Sequence, residues 1–255
     1  MGQYPDDFLD RLHLVWGVGF LSPGGAEEVG EIVKGLDLNG ARVLDIGCGT
    51  GGPAQVLARE KGAEVIGVDV EPQIIERARH LAAQAGLADA VTFQLVEPGP
   101  LPFPDGSFDA VFSKDALLHI PDKGALYREI LRVLKPGGVF AASDWLAGED
   151  AADDAAFRRY VDLISLNFTM ATAVETTAVL REAGFQDVSS VDRNAWYAAI
   201  CAAEVAAVEG PLRDEVIAVS SEETYKRWLG ARRALSEVVS NGTLRPTHLR
   251  GKRPL

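Results

Sequence analysis

Cysteine is almost absent: Cys48 and Cys201 stand far apart, with no CxxC spacing. That excludes a disulfide scaffold and a cysteine-based zinc site, and it suits a reducing cytoplasm. Histidine is nearly as scarce, and the imidazoles at positions 13, 80, 119 and 248 show no ligand spacing, so no metal is expected. Positive charge is short as well: 25 Lys and Arg face 37 Asp and Glu, for a formal net charge of -12. Nucleic acid and anionic membranes are poor partners for such a chain, because both call for a basic face. No apolar run approaches the roughly 20 residues that span a bilayer. The opening MGQYPDDFLDRL is acidic, without the apolar core of a signal peptide, and Asp6 stands where a myristoylation motif needs Ser or Thr. The expectation is a cytoplasmic protein acting on a small molecule.

What is present is an ordinary supply of apolar residues, 47% over 255 residues, enough for one substantial core and a single domain over 1–255. ARVLDIG, AEVIGVDV, VTFQLV, SFDAVFSKD and VFAASDW read as successive buried strands. The segments between them carry helical patterns, such as EPQIIERARHLAAQAG and GALYREILRVLKPGG. Strands alternating with helices over about 100 residues imply a parallel sheet in a doubly wound, Rossmann-like α/β fold. Residues 1–36 read as two helical pieces broken at LSPGG. Residues 37–145 form the strand–helix core. Beyond it, 146–172 shows no clear strand, VETTAVLREAGF resumes as helix and QDVSSVDR as strand. Residues 195–240 are Ala-rich and helical, and LRPTHLRGKRP offers a last strand. The N-terminal piece and the stretch 146–255 are the expected lids.

DIGCGTGG satisfies G-x-G-x-x-G at Gly47, Gly49 and Gly52, directly after the first strand. Small residues there let the backbone approach a ligand. Asp45, two residues before the first glycine, lies toward the ligand end of the strand and would repel a pyrophosphate, but not a cationic cofactor. The second strand ends in Asp69, an acid suited to both hydroxyls of a ribose.

VLDIGCGTGG, VIGVDV, LPFPDGSFDAV and LRVLKPGGVF resemble, in order, the successive motifs of class I S-adenosylmethionine-dependent methyltransferases. The resemblance covers residues 42–145 and implies a seven-stranded sheet binding S-adenosylmethionine. It implies that Gly47 and Gly49 approach the methionine part, that Asp69 holds the ribose, and that Glu97, followed by Pro98, meets the adenine amine. Leu21, Ser22, Val70, Ser113 and Lys114 would complete the cofactor's surroundings together with Asp45.

KDALLHI, FLSPGG and the spacing of Gln3-Tyr4 before Phe20 resemble the phosphoethanolamine and sarcosine/dimethylglycine N-methyltransferases. That resemblance implies a catalytic latch of Tyr4 and His119, with Asp115 facing the substrate amine. Asp115 and His119, four residues apart, would share a face if a helical turn begins there. Trp145 and Tyr160 would border the acceptor. The positions where the phosphobase enzymes place phosphate donors fall here at Ile164, Leu166 and Ala231, which are apolar. Arg158, Arg159, Arg193 or the Arg232-Arg233 pair could substitute. The reading is an N-methyltransferase of a small amine or amino acid. Its rivals are an O- or C-methyltransferase of a secondary metabolite, a phosphoethanolamine enzyme with a rearranged phosphate site, and a silent S-adenosylmethionine-binding regulatory subunit. The oligomeric state is not legible.

Overall fold

Short runs of Val, Leu and Ile, apolar at consecutive positions, make strands that must be buried on both faces. The computed structural model, which describes residues 6–164 and 170–255, gathers these runs into one seven-stranded sheet in the order β3-β2-β1-β4-β5-β7-β6. The strands are β1 Arg42–Ile46, β2 Glu64–Asp69, β3 Val91–Leu95, β4 Phe108–Lys114, β5 Leu134–Ala147, β6 Gln186–Asp192 and β7 Leu244–Lys252. β1 through β5 pair in parallel, while β7 runs antiparallel to both β5 and β6. The helices are α1 Asp6–Trp16, α2 Gly25–Ile32, α3 Gly52–Lys61, α4 Pro72–Gln84, α5 Lys123–Val133, α6 Ala155–Ile164, α7 Ala173–Glu182, α8 Asn194–Glu209, α9 Arg213–Ala218 and α10 Glu222–Ser240.

Alternation along each strand divides the core. Val43, Val65 and Phe112 pack on one face with Ile32, Leu57 and Ile75 of α2, α3 and α4. Leu44, Val111 and Phe140 pack on the other with Ile130 of α5 and Leu180 of α7. Burying each such side chain contributes about 1.5–3 kcal/mol. A third cluster joins Leu118, Trp145, Tyr160, Tyr197 and Leu235. A fourth joins Leu12, Trp16, Tyr225 and Trp228. The order of strands reverses between β1 and β4, the switch point where open α/β sheets take their ligands.

One boundary differs from the sequence reading. β5 begins at Leu134, ahead of the Pro-Gly-Gly stretch, because Leu134 pairs with Phe108 before a register shift in the ladder. The stretch after β5, expected to hold no clear strand, contains the helix α6.

One ionic cluster ties the N-terminal helices to the far side of the sheet. Glu28 of α2 is wholly buried and accepts from Arg193 Nη2 (2.7 Å) and His248 Nε2 (2.6 Å). Its carboxyl is lowered despite its burial, because His248 and Arg193 both favour the charged form. Removing one member of a buried cluster leaves uncompensated charge, which costs about 3–5 kcal/mol. Glu28→Ala should therefore lose stability on that scale in urea unfolding; a loss under about 1 kcal/mol would mean that the cluster is not holding α2 in place.

Candidate active site

β1 and β2 run side by side, with Asp45 opposite Gly67, and so deliver Asp45 and Asp69 to neighbouring strand ends. Asp45 is 1% exposed, and its Oδ2 has no hydrogen-bond partner among the described residues. Burial pushes its carboxyl up to about 8, and the charge of Asp69 adds to the shift. Asp69 accepts from Gly49 N (3.2 Å) and Glu71 N (3.1 Å). Burial raises its pKa, and these amide bonds oppose the rise. Between the two acids the glycine loop leaves no room for side chains. Gly47 has φ +69, and a Cβ there would lie 2.3 Å from the Cβ of Ala116.

A strap from Gly17 to Gly24 crosses this loop, and Gly52 N donates to Gly19 O (2.9 Å). The end of the strap is pinned by Lys114 at the close of β4. Its ammonium donates to Ser22 Oγ (2.7 Å), Pro23 O (2.7 Å) and Asp115 Oδ2 (2.5 Å), which uses every proton it carries. The side chains of Lys114 and Asp115 are each 1% exposed. Ser143 Oγ donates to Asp115 Oδ1 (2.9 Å), and Tyr197 OH approaches Oδ2 at 3.5 Å.

The expected helical turn through Asp115 and His119 takes another form. Asp115 has φ +56, a left-handed conformation, and a 3-10 turn spans only Leu117–His119. The carboxylate is drawn toward Lys114 and Ser143 and buried, while His119 is exposed. The turn is clamped from two sides. Asp144 Oδ1 accepts from Leu118 N (3.2 Å), and Lys123 Nζ donates to Ile120 O (2.9 Å) and to Leu117 O. Asp144 is pushed up to about 7, mainly by burial.

Both groups of residues border one cavity of about 900 Å³. Of the residues singled out by sequence, Leu21, Ser22, Gly47, Gly49, Asp69, Val70, Glu97, Pro98, Lys114, Asp115, His119, Trp145 and Tyr160 line it. Ser113 does not; it is buried and donates to Ile46 O (2.7 Å), joining β4 to β1. Asp45 sits behind the lining, and Tyr4 lies outside the described residues. Trp145 packs edge-on against Tyr197 with ring centroids 5.2 Å apart. Ser143, Tyr197 and Lys123, which hold Asp115 and the His119 turn, carry no signal in the linear sequence because β5, α8 and α5 bring them from separate regions.

These residues fit S-adenosylmethionine. The buried oxygen of Asp45 that lacks a donor among the described residues suits the cofactor's cationic amino-acid end, the glycine cradle admits backbone contact, and Asp69 suits a ribose. Val96, Leu101 and Ile74 add apolar walls beside Glu97.

Because Asp45 and Asp144 titrate higher folded than unfolded, the folded protein holds extra protons between about pH 4 and their raised values. Their contribution to stability is complete at low pH and is lost as pH rises, Asp144's through about 7 and Asp45's through about 8. Asp45→Asn should therefore gain on the wild type from pH 5 to 8 in urea unfolding, by up to about 1.4 kcal/mol per pH unit. A difference independent of pH over that range would contradict the shift.

Comparison with known proteins agrees with this geometry. A family model described as a methyltransferase domain matches residues 37–184. Phosphoethanolamine N-methyltransferase 3 of Arabidopsis thaliana is 33% identical over 229 residues, covering 89% of this chain and 46% of that protein. The chain thus spans about half the length of the curated relatives it matches. A Haemonchus contortus phosphoethanolamine N-methyltransferase 2, solved with phosphomonomethylethanolamine and S-adenosylhomocysteine, superposes with a TM-score of 0.91 at 26% identity, over 99% of this chain and 59% of that one. A putative sarcosine dimethylglycine methyltransferase from Galdieria sulphuraria shares the fold, with a TM-score of 0.83 at 24% identity over 98% and 97% of the two chains. Together with the buried acids, the glycine loop and the seven-stranded sheet, these matches mean that the chain belongs to the class I S-adenosylmethionine-dependent methyltransferase family.

Proposed function

We propose that this protein is an N-methyltransferase of a small amine or amino acid, working as one methyltransferase domain in the cytoplasm. The observation that carries the reading is that Asp115 and His119 border the same cavity as the glycine loop and Asp69. When bound, S-adenosylmethionine supplies an electrophilic methyl group. The relatives named as phosphoethanolamine N-methyltransferases support nitrogen as its acceptor.

An amine attacks carbon only as its free base, and at neutral pH it arrives as an ammonium. In this scheme Asp115 faces the amine, as the family resemblance implies, and its carboxylate is held in a fixed direction by Lys114 and Ser143. His119 takes the proton, a role for which an imidazole is suited near neutral pH. Tyr4 orients the imidazole in this scheme, as the family resemblance implies. Trp145 and Tyr160 offer aromatic faces to a nitrogen that gains positive charge as it is methylated. The strap pinned by Lys114 keeps water from the reacting atoms.

The test is release of S-adenosylhomocysteine with a panel of glycine, sarcosine, dimethylglycine, phosphoethanolamine and phenolic acceptors. With the amine that is turned over, His119→Ala should lower kcat by about 10²–10⁴-fold while the affinity for S-adenosylhomocysteine stays as in the wild type. Unchanged turnover would remove His119 as the base, and turnover of phenols alone would replace nitrogen by oxygen as the nucleophile.

A further inference from the structure

The cofactor side of the cavity is built from the ends of β1, β2 and β3. Another part of the lining comes from α1, α6, α10 and the adjoining ends of β5 and β7, and it has a different character. Leu12, Trp16, Trp145, Tyr160, Leu235 and Leu244 line it, and all but Trp16 are buried hydrophobics. Among the described residues from these elements that line the cavity, Arg232 is the only basic one.

Arg232 lies between two indoles, with its guanidinium carbon 5.3 Å from the ring centroid of Trp16 and 5.7 Å from that of Trp228. Its Nε is buried and has no hydrogen-bond partner among the described residues. Other arginines of the surrounding helices are engaged. Arg159 pairs with Glu237 (3.1 Å), Arg233 with Glu209 (2.5 Å) and Arg193 with Glu28 (2.7 Å), while Arg158 donates to the carbonyls of Ala152 and Asp153. The acid whose charge acts on Arg232, Glu204, is hydrogen-bonded instead by Trp16 Nε1 (2.6 Å), and burial raises its pKa. A guanidinium that lies against aromatic rings and lines a cavity, with no acid at ion-pair distance among the described residues, is suited to receive a planar anion.

We infer that the methyl acceptor carries a single carboxylate on an apolar or aromatic body, and that Arg232 reads this carboxylate. The inference rests on the reading of this cavity as an acceptor site and names the class of molecule it takes. A phosphate monoester carries more charge and calls for several charge-assisted donors. The described lining in this part offers one guanidinium among hydrocarbon walls, which matches one carboxylate and favours a body larger than that of glycine.

Binding, not turnover, tests this. Protein saturated with S-adenosylhomocysteine is titrated in a calorimeter with 3-phenylpropionate and with the neutral 3-phenylpropanamide. The acid should bind at least tenfold more tightly than the amide. Arg232→Met and Arg232→Gln should abolish that preference while keeping the affinity for S-adenosylhomocysteine, and Arg232→Lys should restore part of it. Equal binding of acid and amide, no binding of either, or a preference that survives in both neutral variants would overturn the inference. Tighter binding of phosphoethanolamine than of the acid, lost in the same variants, would overturn the carboxylate in favour of a phosphate. Because no methyl transfer is read, a wrong assignment of His119 or of nitrogen leaves these titrations unaffected, and the two failures remain distinguishable.

Discussion

A carboxyl group buried at the end of β1, with one oxygen left without a donor among the described residues, is the constraint on which the site depends. Asp45 cannot keep a charge there without a cation, and burial holds its pKa at about 8 until one arrives. The surrounding features follow from that requirement. The parallel sheet brings Asp69 alongside, which raises Asp45 further. The glycine loop keeps side chains out of the space above it, and the strap from Gly17 to Gly24 covers that space. A pyrophosphate would keep Asp45 from ionising, whereas a cofactor with a cationic end gives the ionised carboxyl a partner.

The second half of the site uses a different solution to the same problem. The Asp115 side chain is buried too, but it has its counter-ion within the chain, in Lys114. That ammonium has three protons and three acceptors, two of them on the strap, so the ion that neutralises Asp115 also pins the strap. Asp144, one residue beyond Ser143, is pushed up to about 7 and has no such partner at bonding distance among the described residues, but its Oδ1 fixes the turn that bears His119. Lys123 grips the same turn through two carbonyl groups. The imidazole therefore projects from a short segment held on both sides rather than from a helix.

The core was legible because βα units place consecutive strand ends side by side in the order of the chain. Asp45, the glycines and Asp69 could be read together from the sequence for that reason. Local reading failed where distant pairing decides the outcome. Pro136-Gly137-Gly138 has the composition of a stop, yet β5 begins before it because Leu134 finds Phe108 across the ladder. The four-residue spacing of Asp115 and His119 suggests one helical face, yet the pull of Lys114 and Ser143 sends Asp115 into a left-handed conformation. Trp16 and Tyr197 come to the cavity region from α1 and α8, and no spacing along the chain could have brought them together.

The central claim is that Asp45 is the cation receptor of an S-adenosylmethionine site. Calorimetric titration of S-adenosylmethionine at pH 7, in buffers of different ionisation enthalpy, counts the protons exchanged on binding. Since Asp45 is largely protonated there and must ionise to meet a cation, binding should release about one proton in the wild type and none in Asp45→Asn, which should also bind more weakly. Equal affinity in the two proteins with no proton released by either would contradict the account.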